Sequence, residues 1–199
     1  MALKILINFL IVNYYMHIDN RFSKFCLGTV QFGKSYGLRT VRDNEIKDNE
    51  IMEIFNFFHS KGGIYVDTAQ NYGDSEKVIS NYLKPESRVI SKLYLTNLDN
   101  EVEGLIFKSL NNLKIDSLDT ILVHNPEILL ETPSLINNLI DMKEQKLVNN
   151  IGISIYSYED ICNSDDSNLN EILLNIDVIQ VQGNAFDKEF FLYKRFSTI

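Results

Sequence analysis

Four side chains of complementary chemistry are spread along this chain: the carboxylate of Asp67, the phenol of Tyr72, the amine of Lys92 and the imidazole of His124. Asp67 and Tyr72 share one short stretch, "VDTAQNYGDSE" (66–76), which follows a Gly-Gly pair and a β-branched and aromatic run. Lys92 ends the run "RVISK" (88–92), and His124 ends "DTILVH" (119–124). A phenol with a pKa near ~10 is a poor proton carrier at neutral pH unless its phenolate is stabilised, and a neighbouring ammonium does that. A lysine in a pocket is also a Schiff-base nucleophile, so an aldolase is a second chemistry. Taken one at a time, each residue has a plain alternative: Asp67 as a turn cap, Tyr72 as a loop aromatic, Lys92 as a solvated strand end, His124 as a core or capping histidine.

Bringing these four together requires elements that end at one place. Short runs of continuous apolar character recur at "FCLGTVQ" (25–31), "GIYVD" (63–67), "RVISK" (88–92), "DTILVH" (119–124), "NNIGIS" (149–154) and "DVIQVQ" (177–182). Continuous rather than alternating hydrophobicity predicts parallel strands covered on both faces. Helical stripes lie between them: Ile51, Ile54, Phe55 and Phe58; Val102, Leu105, Ile106, Leu110 and Leu113; and Leu135, Ile136, Leu139 and Ile140. These are read as the faces helices lay on a sheet. Strand–helix alternation leaves a doubly wound sheet or a (β/α) barrel. The first would carry a Gly-rich turn after its first strand, and "LGTVQFGKSYG" has neither G-x-G-x-x-G nor a phosphate-loop spacing. A barrel opens all its C-terminal strand ends onto one face, where Asp67, Lys92, His124, Ser154 and Gln180 would converge.

Composition sets the outer bounds. The chain has 199 residues, 45% hydrophobic and 23% charged, as in an ordinary globular domain. Its formal charge of −8 argues against a nucleic-acid-coating surface. Cys26 and Cys162 have no CxxC partner and no metal-ligand spacing with the histidines, so they read as small apolar residues of a reduced, cytoplasmic protein without a metal. His17 and His59 read as surface residues. Residues 1–22, opening "MALKILINFLIVNYYMHI", form an N-terminal extension before a barrel domain at 23–199, with Met16 as the functional start. A membrane-directing segment or an opening strand are the other readings; the segment is short for a bilayer span and interrupted by Asn8 and Asn13.

The stretches "LGTVQFG", "DTAQNYGDSE", "ISK", "LVHNPE", "NNIGIS" and "IDVIQVQGN" together, in this order, resemble the aldo-keto reductase family over roughly residues 25–184. The resemblance implies a (β/α)8 barrel of the TIM type, here incomplete with about six βα units, and reversible hydride transfer between NADP or NAD and an aldehyde or ketone. By motif, Tyr72 is the proton donor, Lys92 tunes it, Asp67 pairs with Lys92 and keeps it charged, and His124 donates a hydrogen bond to the substrate oxygen. Ser154 and Gln180 match positions that hold the nicotinamide carboxamide; the residue after that serine is often Asn in the family and is Ile155 here. Thr29 and Gln31 face the cofactor from the first strand, and Asn184 lines the same floor. Tyr36, Glu76 and Asn125 are given packing or loop-shaping roles.

The sequence ends soon after the sixth run, whereas a complete barrel takes ~250 residues. The expectation is a truncated reductase, with self-association through the open barrel edge or a shortened non-catalytic binding module as the alternatives. Lys188, Lys194 and Arg195 read as a solvated helix end. A small carbonyl substrate and a nicotinamide cofactor are the implied partners, with no nucleic acid and no membrane.

Overall fold

The computed structural model describes residues 4–7, 21–33, 46–96, 101–155 and 172–181. Cys162, His17, Tyr36, Asn184, Lys188, Lys194 and Arg195 lie outside them. Seven parallel strands form one sheet: β1 Lys4–Ile7, β2 Cys26–Gly28, β3 Tyr65–Asp67, β4 Arg88–Leu93, β5 Leu118–Val123, β6 Val148–Ile155 and β7 Val178–Val181. From β2 to β7 each strand pairs with the next in sequence, and β1 pairs with β7, Lys4 opposite Val178 and Ile7 opposite Val181. The helices are α1 Val30–Gly33, α2 Asp48–Ser60, α3 Ser75–Ile79, α4 Glu101–Leu113, α5 Glu127–Glu131 and α6 Leu135–Glu144. Alternating strands and helices with all-parallel pairing is the arrangement the apolar runs dictate.

The pleat sorts each strand into two sets, because side chains alternate between faces. Val66, Val89, Leu93, Ile121, Val123, Ile151, Ile153 and Ile179 join one large core cluster with the helices. Its helical side is Ile51, Phe55 and Phe58 of α2, Val102, Ile106, Leu110 and Leu113 of α4, and Leu135, Ile136 and Leu139 of α6. Ile54, Leu105 and Ile140 sit half-buried at the margins of these stripes. The alternate strand residues make a separate cluster on the concave side: Ile90, Leu122 and Val178, with Cys26 and Tyr65 packed against them. Two residues further along each strand, one pleat higher, come Gly28, Asp67, Lys92, His124 and Gln180. An apolar floor thus lies directly under a polar layer.

The sheet is curled, and one hydrogen bond measures it. Three strands separate β3 from β7, which in a flat sheet puts them about 19 Å apart at ~4.8 Å per strand. Yet Gln180 Nε2 of β7 donates to Asp67 Oδ1 of β3 at 2.9 Å. Only a barrel-like curl lets these side chains meet. The molecule is therefore an α/β protein whose parallel strands wrap into part of a barrel.

Two local expectations are corrected. The run 25–31 is not one strand: β2 stops at Gly28. The Thr29 backbone N–H and hydroxyl both donate to Asp67 O, at 3.0 and 2.9 Å, and the chain turns there into α1. His59 is not a free surface residue. It is half-buried, its ring packs on Phe55 and Phe58, and its nitrogens contact Gly63 O at 3.1 Å and Tyr82 O at 3.2 Å. A polar residue at the edge of an apolar helix face has been recruited to fasten the 61–63 turn and the 80–84 turn.

Candidate active site

The site is built on a buried ion pair. Asp67, last residue of β3, and Lys92, on β4, are 4% and 3% exposed, and their charged atoms are 2.6 Å apart. Lys92 Nζ also donates to Thr68 O at 3.0 Å. Asp67 Oδ1 therefore accepts from both Lys92 and Gln180. Neither charge is left alone, which is the condition for burying charge at all.

Tyr72 reaches this pair from the loop after β3. The loop first runs on beside β4, with Thr68 N–H donating to Ile90 O at 2.9 Å and Gln70 N–H to Lys92 O at 3.2 Å. It then turns back, Tyr72 N–H donating to Ala69 O at 3.1 Å. Gly73 follows in the left-handed region, φ +63°, with its Cα against Gly33 O of α1, where a Cβ would collide. A glycine belongs there because only glycine adopts that φ without strain and leaves room for the neighbouring backbone. The result places the half-buried Tyr72 ring with its centroid 5.1 Å from Lys92 Nζ. His124, the residue after β5, is held by its N–H donating to Leu93 O at 2.8 Å. Its ring stands edge-on to Tyr72, centroids 6.2 Å apart at 79°. Carboxylate, ammonium, phenol and imidazole thus meet at the C-terminal ends of three neighbouring strands.

Two buried networks hold the Tyr72 loop. On one side, Thr29 and Ser75 hydroxyls are 2.7 Å apart, Ser75 donates to Thr29 O at 2.9 Å, and Thr68 donates to Ser75 at 3.2 Å. On the other, Glu76, 2% exposed, accepts from Ser91 at 2.8 Å, Ser109 at 2.7 Å and Asn112 at 3.0 Å. Gln70 of the same loop donates to Ser109 at 2.8 Å. Glu76 therefore ties the helix after Tyr72 to the residue before Lys92. Asn125 plays a similar part beside His124, bonding both the N–H and the carbonyl of Leu95 at 2.9 Å. The partners in these networks had no sequence signal beyond "SE" in "DTAQNYGDSE".

The remaining candidates divide. Ser154 of β6 lies opposite Gln180 in register, both buried. Gln180 Oε1 is buried with no hydrogen-bond partner among the described residues, so this part of the floor presents an unmet acceptor. A carboxamide N–H fits that chemistry, which makes the residues present compatible with a nicotinamide group. Ile155 faces the outer core, 2% exposed. Thr29 is fully buried, with its hydroxyl engaged by the backbone carbonyl of Asp67 and by Ser75, so it touches the four-residue group through the Asp67 main chain, and Gln31 is exposed on α1. Below the site, burial in the floor and the nearby Asp67 carboxylate push the Cys26 thiol up. Among the described residues there is no cluster of three metal-ligating side chains and no helix long and apolar enough to cross a membrane.

Comparison with known proteins agrees with the fold. Norsolorinic acid reductase B of Dothistroma septosporum is 25% identical over 156 residues, 67% of this chain and 39% of its own length. In structure, a Pseudomonas aeruginosa protein assigned to the aldo-keto reductases aligns with a TM-score of 0.68 at 23% identity, over 82% of this chain and 64% of that one. A Bombyx mori aldo-keto reductase solved in complex with NADP aligns with a TM-score of 0.59 at 21% identity, over 80% and 54%. The chain thus spans less than two thirds of each of these relatives. The family model for the aldo/keto reductases matches residues 24–193, most of the length, and the chain belongs to the aldo/keto reductase family.

Proposed function

We propose that this chain carries the reacting face of an oxidoreductase that uses NADP or NAD to reduce an aldehyde or ketone. The observation that carries the reading is the stack of Asp67, Lys92 and Tyr72, with 2.6 Å between the charges and 5.1 Å from the ammonium to the ring. An ammonium beside a phenol favours phenolate and lowers the cost of giving up its proton. Tyr72 donates that proton to the carbonyl oxygen. Lys92 tunes it, and Asp67 fixes Lys92 through a bond it shares with Gln180. His124, edge-on to Tyr72, orients the carbonyl and stabilises charge growing on its oxygen. A bound nicotinamide supplies the hydride, and Ser154 and Gln180 hold its carboxamide. Family membership and the relative solved with NADP support the cofactor class. The small carbonyl substrate and a reduced, cytoplasmic setting are part of the same proposal.

The test measures cofactor oxidation by purified protein with a panel of aldehydes and ketones, beside cofactor binding by fluorescence. Tyr72→Phe is expected to lower turnover by about 10²–10⁴-fold while cofactor affinity holds. Unchanged turnover in that variant overturns the proton-donor role. Binding without turnover in the wild type leaves a non-catalytic cofactor-binding module, and borohydride trapping of a carbonyl on Lys92 would replace the reductase with an aldolase.

A further inference from the structure

The sheet departs from sequence order at one place. From β2 to β7 every strand pairs with the one that follows it, but the strand on the outer edge of β7 is β1, from the other end of the chain. It runs parallel to β7 in continuous register, Lys4, Ile5, Leu6 and Ile7 opposite Val178, Ile179, Gln180 and Val181. β6 takes the other edge of the same four residues with Gly152, Ile153, Ser154 and Ile155. β7 is thus paired along its whole length on both sides. Among the described residues β1 does not go on to pair with β2, so it covers an edge without closing the barrel.

The edges differ in how much they need cover. β2 is three residues long and ends at Gly28, and a short edge gives another chain little to pair with. β7 is Val-Ile-Gln-Val, buried at every position, with no charge and no proline. Bare, it is the type of apolar edge that recruits a strand from another molecule. Every copy would expose the same edge, so the partner always at hand is a second copy. β1 has one charge among its four residues, Lys4, and lysine is the residue type that blunts an edge. In a (β/α)8 barrel this place belongs to the strand that follows β7 in sequence. β1 and such a strand therefore exclude each other.

We infer that residues 4–7 are an edge-covering strand, and that the β7 edge beneath them is a self-association surface kept closed while β1 is in place. Recognition there is main-chain pairing, and the register limits it to Val178–Val181. Leu6 stands opposite Gln180, so the cover reaches the level of the polar layer and borders the candidate active site. The inference does not depend on the reaction proposed above.

The experiment compares the full chain with one beginning at Met16 and with Ile5→Pro/Leu6→Pro. The double variant removes two successive N–H groups, one of which must face β7 in a parallel ladder. Backbone hydrogen exchange is followed by mass spectrometry in dilute solution, and mass by sedimentation at rising protein concentration. In wild type the amides of residues 5–7 should exchange slowly, as those of 178–181 do, and the chain should stay monomeric. Without β1, exchange at 178–181 should quicken by about tenfold or more, and the mass should rise with concentration. Should the shortened chain fail to fold, the proline variant and the wild-type exchange still decide. Rapid exchange at 5–7 in wild type overturns the pairing. Unchanged exchange at 178–181 and unchanged mass without β1, or equal self-association by wild type, overturn the covering role.

Discussion

Replacing Lys92 with methionine probes the site through stability alone. The side chain keeps nearly its length and loses its charge. Asp67, 4% exposed, is left with a carboxylate whose remaining side-chain donor among the described residues is Gln180, and Thr68 O loses its 3.0 Å donor. Removing one partner of a buried pair costs about 3–5 kcal/mol. For a chain of this size, with a urea m-value near ~2 kcal/mol per molar, the unfolding midpoint should fall by about 1.5–2.5 M. Asp67→Asn should cost a similar amount, because it strands the ammonium instead. The double variant Lys92→Met/Asp67→Asn removes both charges and should sit closer to wild type than either single change. The assay is urea unfolding followed by circular dichroism, with the four proteins forming a cycle. Additive losses, or a Lys92→Met loss below ~1 kcal/mol, would refute the view that these two charges are paired and dry.

Three further outcomes follow from other parts of the site. Gly73→Ala places a Cβ at φ +63° and against Gly33 O, so it should destabilise by at least ~1–3 kcal/mol and lower turnover beyond its effect on folding, measured by melting and activity together. Glu76→Ala strands the buried hydroxyls of Ser91 and Ser109 and should cost about 2–4 kcal/mol in unfolding free energy, with Glu76→Gln restoring part of it. Cys26 has its thiol held protonated by burial; since the folded pKa is raised, stability is complete below the unfolded value of ~8.5 and declines as pH rises past it, by up to about 1.4 kcal/mol per unit. Cys26→Ala should flatten that alkaline decline in unfolding measured across pH.

What could be read from the sequence depended on whether the signal was local. Continuous apolar runs around Val66, Ile90, Ile121, Ile151 and Ile179 announce parallel strands without knowledge of their partners, and the stripes of α2, α4 and α6 follow from period alone. Asp67, Lys92 and His124 are legible because strand ends in a barrel converge whatever the loops do. Thr29 is the opposite case. Its neighbours read as strand, but its hydroxyl is claimed by Asp67 O, 38 residues away in sequence, and that contact ends β2 early. His59 and the partners of Glu76 were hidden for the same reason: each depends on groups that only the folded chain brings near. The Gln180–Asp67 bond spans 113 residues and exists only once the sheet has curled.

The central claim is that an ammonium beside a phenol makes Tyr72 a proton carrier, and the most direct measurement is the tyrosinate absorbance titration of wild type minus Tyr72→Phe, repeated in the Lys92→Met background. The account predicts one phenol ionising well below ~10 that returns to the ordinary range when the ammonium is removed. A difference titration centred near ~10 in both backgrounds would contradict it.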